Sequence, residues 1–436
     1  MSIGIITILM FAALFLFLIL GVPLSFVLGS IAVLATFFFW GPNALSMIAG
    51  QTFRAMNMFS LVAIPLFVFM ANVLERSGVA DDLYDAIHQW MGPVKGGLAM
   101  GTVVICTVFA AMSGVSAAAT ISMGLIALPS MLKRGYDKSI SIGCIMAGGA
   151  LGVLIPPSIT FILFGLFAAQ SVGKLFAGGV FPGLLLATLF IIYIGVRSYF
   201  QPNIGPAVPP KDRFSWKQKF ISLRFVALPA LLVLAVLGSI FAGIATPTES
   251  AAVGALGAII CAAINRRLNR KLISGSLIKT FLLNAQIAWI VIGAMAFASA
   301  YTAIGGTKLV ESLILGLGVN RWVIMILMQL SLIILGCFLD PGGILMITIP
   351  VYMPIIQTLG FDPIWFGVLF VINMQTGYLT PPFGFNLFIM KSVVPPGVTM
   401  GDIYRSVAPY VVLQIVGLAI VMAFPQIALW LPSVVF

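Results

Sequence analysis

The chain has 436 residues, of which 61% are hydrophobic and only 8% charged. A soluble globular protein is about a quarter charged, so a water-soluble domain is excluded and a polytopic helical membrane protein is implied. The net charge of +11 would suit nucleic acid, but the basic residues sit in short loops between apolar runs, where they set orientation instead.

The run from Ile3 to Trp40 lacks a basic start and is too long for a signal peptide, so it reads as mature membrane domain. It divides at Gly21-Val22-Pro23 into two spans. An interfacial segment follows over roughly 42–57, with Arg54 its only charge, and a span begins near Ser60. A polar connection from Glu75 to Lys95 holds the single histidine, His88, in a loop. Next, Gly96–Ala111 stops at Ser113-Gly114-Val115-Ser116 and resumes through Thr120 to Leu132. Each limb is short for a full crossing, which predicts a re-entrant hairpin. A broken helix then runs over 139–170, and a span over 175–196 closes the first half.

Residues 197–224 are the longest polar stretch, rich in Pro, Lys and Arg, and read as the linker between halves. Beyond it the order repeats. Spans at about 225–243 and 249–264 flank Thr246-Pro247-Thr248-Glu249, whose pattern reads as a helix cap. A basic arm covers Asn265–Lys279, and a span lies at about 281–301. A second hairpin over 322–354 is broken at Asp340-Pro341-Gly342-Gly343, a second broken helix covers 363–391, and the last span covers 407–430. The predicted domains are a first repeat (1–198), a cytoplasmic linker (199–224) and a second repeat (225–436). Cys106, Cys144, Cys261 and Cys337 each lie alone in apolar sequence and indicate neither disulfide nor metal site.

A shift of 225 places lays Pro129, Gly135, Asp137, Gly152, Leu154, Pro156 and Pro157 on Pro354, Gly360, Asp362, Gly377, Leu379, Pro381 and Pro382. That is seven identities in 29 positions, where composition alone gives roughly two. Six of the seven are Gly, Pro or Asp, which set backbone shape. Five crossings per half is an odd number, so the halves are expected to be inverted repeats. A broken apolar helix in each such half is the mark of a secondary transporter. With both termini outside, 18 of the 22 Lys and Arg lie on the cytoplasmic side, leaving Arg54, Lys174, Lys308 and Arg321 outside.

A helix at membrane depth is broken only where the gap lines a site. Pro156 and Pro157 remove two donors, freeing carbonyls from Gly152 to Ile155 at a half-helix C-terminus, where the dipole favours a hard cation such as Na⁺. The tip at Ser113 and Ser116 adds oxygens. By repeat symmetry a second site uses Gly377, Thr380 and Phe383, with tip oxygens between Gly336 and Gly342. Opposed half-helix N-termini suit a carboxylate. The expected Na⁺ ligands are thus Ser113, Gly152, Ile155 and Ser158 at one site, and Gly336, Gly342, Gly377, Thr380 and Phe383 at the other. The expected substrate contacts are Ser113, Ser116, Pro157, Asp340, Pro341 and Asn386. For Asp340, tip capping and site lining both stand. For Asn386, substrate contact and helix–helix hydrogen bonding both stand.

At these motifs the chain resembles the large membrane subunit (DctM-like) of the tripartite ATP-independent periplasmic, or TRAP, transporters. The matching stretches are Gly21-Val22-Pro23-Leu24, Ala63-Ile64-Pro65-Leu66-Phe67, Ser113-Gly114-Val115-Ser116, Ile155-Pro156-Pro157-Ser158, Gly243-Ile244-Ala245-Thr246-Pro247-Thr248-Glu249 and Thr380-Pro381-Pro382-Phe383-Gly384. The resemblance implies an all-α, elevator-type, Na⁺-coupled importer of organic acids in a bacterial inner membrane. It also implies two partners: a small four-helix (DctQ-like) membrane subunit, expected as a separate chain, and a (DctP-like) periplasmic substrate-binding protein.

Other readings fit the residues less well. An ATP-driven pump needs a Gly-x-x-x-x-Gly-Lys-Ser/Thr motif, which is absent, and one histidine leaves an intramembrane hydrolase without its constellation. A membrane scaffold has no use for doubled Pro-Pro breaks. A stand-alone Na⁺- or H⁺-coupled anion carrier of the same architecture is the remaining rival. No enzyme activity and no organic cofactor are expected.

Overall fold

Apolar sequence on either side of Gly21-Val22-Pro23 forms α1 (Ile3–Ile19) and α2 (Leu24–Trp40). Pro23, which has no N–H to leave unpaired, caps the start of α2. This computed structural model describes residues 2–436 except 210–212, 317, 338, 340, 382 and 383, and sets aside the side chains of 225, 315 and 341. Among the described residues there is no strand. Six helical stretches there are long and apolar enough to cross a membrane, or seven if a bent pair around residue 225 is counted as one span.

The first half continues through α3 (Ser46–Met56), α4 (Ala63–Arg76) and α5 (Val79–Met91). The predicted polar loop around His88 is therefore a helix. Val79, Ala80, Leu83, Tyr84 and Ala86 bury one face of it, and Asp81 and Asp82 lie in its first turn. The hairpin limbs are α6 (Gly97–Ser113) and α7 (Ser116–Lys133). The broken helix is α8 (Lys138–Ala150), a short 3₁₀ turn over Leu151–Val153, and α9 (Ile159–Phe167); α10 (Val172–Phe200) closes the half.

The expected linker is shorter than its polar composition suggests, because α11 (Trp216–Phe241) starts inside it with a Ser215–Gln218 capping box. What remains is clasped to the first half. Val208 N–H donates to the Gly92 carbonyl at 2.8 Å, Gly96 N–H to the Gly205 carbonyl at 2.8 Å, and Asp137 N–H to the Ile204 carbonyl at 2.9 Å. Then follow α12 (Pro247–Ile264), α13 (Arg270–Ala303), α14 (Gly306–Gly316), α15 (Arg321–Gly336), α16 (Pro341–Thr358), α17 (Pro363–Leu379), α18 (Phe385–Val393), α19 (Met400–Ala423) and α20 (Gln426–Val435). Three boundaries differ from expectation. The basic arm and the span after it are one 34-residue helix, α13. Helix α14 is an additional amphipathic helix, and the last span ends at Ala423, before a turn into α20.

The helices of the two halves overlap at the same 225-residue shift. Helices α1 and α2 fall on α11 and α12, α5 on α14, α8 on α17, α9 on α18 and α10 on α19. Asp137 Oδ1 accepts from the N–H groups of Ser139 and Ile140 at 2.9 and 3.2 Å. Asp362 Oδ1 does the same for Ile364 and Trp365 at 2.7 and 2.9 Å. Gly135 and Gly360 precede these caps at φ +77° and +71°, a conformation open to glycine. The halves interlock, with α4 packed along α12 and α2 along α13. Asn72 Nδ2 on α4 donates to Thr280 Oγ1 on α13 at 3.0 Å. Lys279 pairs with Glu75 at 2.9 Å, and Arg267 forks onto Asp82 at 2.7 and 2.9 Å.

Candidate functional site

The first break follows from chain chemistry. In an α-helix the carbonyls of Gly152 and Val153 would accept from residues 156 and 157, and both are proline. The Ser158 hydroxyl takes over at the Val153 carbonyl, while Ser158 Oγ also accepts from Phe161 N–H at 3.4 Å and caps α9. Ile155, by contrast, packs its side chain against Gly183 on α10.

The tip of the first hairpin lies across this break, backbone against backbone. Gly114 sits at φ +61°, and a Cβ built on it would stand 2.4 Å from the Pro157 carbonyl oxygen. A Cβ on Gly152 would stand 3.1 Å from the Val115 carbonyl oxygen. The second break repeats the device with different residues: a Cβ on Gly336 would lie 2.9 Å from Gly377 Cα, and the reverse distance is 2.8 Å. Thr380 N–H donates to the Gly377 carbonyl at 3.2 Å, Thr380 Oγ1 to the Thr376 carbonyl at 2.8 Å, and Gly384 N–H to the Thr380 carbonyl at 3.1 Å. Each of these oxygens keeps a further lone pair.

The two breaks meet through one buried pair. Ser116, at the start of α7, and Asn386, in the first turn of α18, are hydrogen bonded, with Asn386 Nδ2 2.7 Å and Oδ1 3.0 Å from Ser116 Oγ. Both are buried. Asn386 thus ties the second broken helix to the first hairpin and is not on the cavity wall. Ser113 Oγ donates to the Val115 carbonyl at 3.4 Å, inside the tip.

A half-open cavity of about 240 Å³ lies in front of this pair. Gly114, Val115, Ser116 and Ala117 of the tip, Val153, and Ile159, Thr160 and Leu163 of α9 form one wall. Gly342 and Met346 of α16, Tyr378 of α17 and Phe385 of α18 form the next. Val68 of α4 and Leu283, Gln286, Ile287 and Ile290 of α13 complete it. Of the residues expected from sequence, Ser116 and Gly342 line the cavity. Ser113, Gly152, Ile155, Pro157 and Ser158 lie behind its first wall, with Gly336, Gly377 and Thr380 at the second break. Asp340 and Phe383, and the side chain of Pro341, fall outside the described residues.

Thr160, Gln286 and Tyr378 were not expected. The available signal was Gln286, an amide inside the apolar run 281–301. Among the described residues that line the cavity there is no Lys, Arg, Asp or Glu. Its polarity comes from the neutral side chains of Ser116, Thr160, Gln286 and Tyr378 and from helix starts. Helices α7 and α18 have no side-chain cap, so their first N–H groups remain donors beside the positive end of each dipole. Glu249, the other acid near an apolar stretch, is spent in a capping box with Thr246, at 2.8 Å from its N–H.

Residues 11–427 match the family described as the tripartite ATP-independent periplasmic transporter, DctM component. The chain is 34% identical over 399 residues to the C4-dicarboxylate TRAP transporter large permease protein DctM of Pseudomonas aeruginosa, covering 91% of this chain and 92% of that one. It is 32% identical over 420 residues to the isethionate TRAP transporter permease protein DctMQ of Oleidesulfovibrio alaskensis. There the match takes in 95% of this chain and 64% of the relative. The fold is similar to that of the YdaH transporter of Alcanivorax borkumensis, with TM-score 0.63, 17% identity, and coverage of 97% of this chain and 99% of that one. Permeases of this family are multi-pass membrane transporters, not enzymes, and work with a substrate-binding protein and a small membrane subunit. The chain belongs to the DctM family and is a large permease component of a tripartite ATP-independent periplasmic transporter.

Proposed function

We propose that this permease imports an organic carboxylate, coupled to Na⁺, by an elevator movement of the hairpins and broken helices against α4, α12 and α13. A periplasmic binding protein delivers the acid, and a small membrane subunit braces the scaffold. The two halves are inverted relative to one another, each with five crossings, in a bacterial inner membrane with both termini periplasmic. The observation that carries this reading is the cavity before the Ser116–Asn386 pair, where uncapped helix starts meet beside two broken helices.

The uncapped starts of α7 and α18 supply N–H donors and positive dipole ends to a carboxylate. Ser116 and the backbone around Pro157 hold the tip in place behind it. Na⁺ sits on oxygens at the half-helix ends: Ser113, Gly152, Ile155 and Ser158 at one break, Gly336, Gly342, Gly377 and Thr380 at the other. Filling both sites locks the backbone that forms the anion wall, so ion and acid bind together. The 18-to-4 distribution of basic residues supports the orientation, and relatives named for C4-dicarboxylate and isethionate transport support a small anionic cargo.

The test is uptake into proteoliposomes holding this chain and its small partner, with and without an inward Na⁺ gradient, and with and without the binding protein loaded with acid. Uptake is expected only when both are supplied. Uptake by the 436-residue chain alone would leave a stand-alone anion carrier in its place.

A further inference from the structure

The cavity has two unlike sides. Toward the hairpins and breaks it is lined by helix starts, at Ser116, Thr160 and Phe385. Toward α4 and α13 it is lined by Val68, Leu283, Ile287 and Ile290, with Gln286 as that side's one polar side chain. The sequence reinforces this over whole segments: residues 55–75, 96–132, 139–173, 280–307 and 322–390 contain no Lys or Arg. The nearest cation on that face of α13, Lys279, one turn before Leu283, is held in an ion pair by Glu75 at 2.9 Å, and none of the described residues that line the cavity is a cation.

Gln286 is exposed, although it lies midway along a 34-residue apolar helix. An amide held against hydrocarbon loses its hydrogen bonds, so at this depth it requires water or a polar ligand. It stands at the cavity mouth on the same face as Leu283, Ile287 and Ile290, at three- and four-residue spacing.

From this two-sidedness, and resting on the carboxylate reading above, we infer that the substrate is a monocarboxylate. Its single charge meets the helix starts. Its uncharged, largely apolar body lies along α13, and one hydroxyl or carbonyl group on that body pairs with the Gln286 amide. A second carboxylate would be stranded among Leu283, Ile287 and Ile290 without a counter-charge. The volume of about 240 Å³ lies below the usual range of ligand pockets and suits only a short acid.

The experiment measures direct binding to the detergent-purified complex of this chain with its small membrane partner, in Na⁺ buffer, using three four-carbon probes: butyrate, 4-hydroxybutyrate and succinate. The expected order is 4-hydroxybutyrate first and succinate weakest. Gln286→Ala should weaken 4-hydroxybutyrate about tenfold, the effect of losing one hydrogen bond, while leaving butyrate unchanged. Gln286→Arg, which supplies the missing cation, should raise succinate affinity. Succinate binding tightest to the native complex, or equal loss of butyrate and 4-hydroxybutyrate in Gln286→Ala, overturns the inference and leaves carboxylate transport intact. Failure of all three acids to bind overturns both.

Discussion

Gly114 shows how much of this site is backbone. Its left-handed conformation and its approach to the Pro157 carbonyl leave no space for a methyl group, which would stand 2.4 Å from that oxygen. Gly114→Ala must therefore strain the tip and push it off the first break. The expected result is a loss of about 2 kcal/mol or more of stability, read from denaturant midpoints, together with loss of Na⁺-dependent uptake. Gly29→Ala is the control, because a Cβ there meets nothing within 4 Å. Thr380 poses a separate question. Its hydroxyl donates to the Thr376 carbonyl and keeps lone pairs for a cation. Thr380→Ala, and likewise Ser113→Ala, should raise the Na⁺ concentration for half-maximal uptake several-fold without loss of folding. Unchanged Na⁺ activation in both variants would confine the ion sites to carbonyl oxygens.

Helix α5 shows where sequence and structure part company. Its charges, Asp81, Asp82 and Asp85, read as a loop because the apolar face is interleaved among them and spans only 13 residues. Burial lowers the pKa of His88 below the usual histidine value, and the positive charge of Arg134 adds to that. An imidazole that is neutral when folded and more basic when unfolded stabilises the fold above about pH 6.5. That stabilisation is lost as pH falls through the folded value. Asp85 is raised by burial first and by Asp81 and Asp82 second, so its opposite contribution changes only at the lower pH where carboxylates titrate. Between pH 7.5 and 5.5 the melting temperature should fall, and His88→Gln should flatten that fall. A parallel fall in the variant would remove His88 as the cause. The breaks were legible because Gly, Pro and an Asp cap dictate them locally. The unity of α13 was not, because the first half breaks at Asn57-Met58 while the matching residues, 282 and 283, are both leucine and continue the helix. The Ser116–Asn386 pair spans 270 residues, a distance over which no local pattern speaks.

At the scale of the molecule, the two halves are bound to each other through α2 against α13 and α4 against α12. On the elevator reading these four helices stand still while α9 and the hairpins move. Val68 on α4 and Leu163 on α9 line the same cavity from opposite sides of that division. A cross-link between cysteines at 68 and 163, in a Cys337→Ser background, should arrest uptake. A cross-link between cysteines at 72 and 280, whose native side chains hydrogen bond across α4 and α13 at 3.0 Å, should leave it intact, and arrest by both would argue against a division into moving and static parts. The second half carries as one rod, about 51 Å long at 1.5 Å per residue, what the first half carries as α3 and α4 with a joint between them. One arm can flex where its counterpart is stiff. On the elevator reading, the outward-open and inward-open arrangements then differ in energy, which would give the empty carrier a built-in resting side.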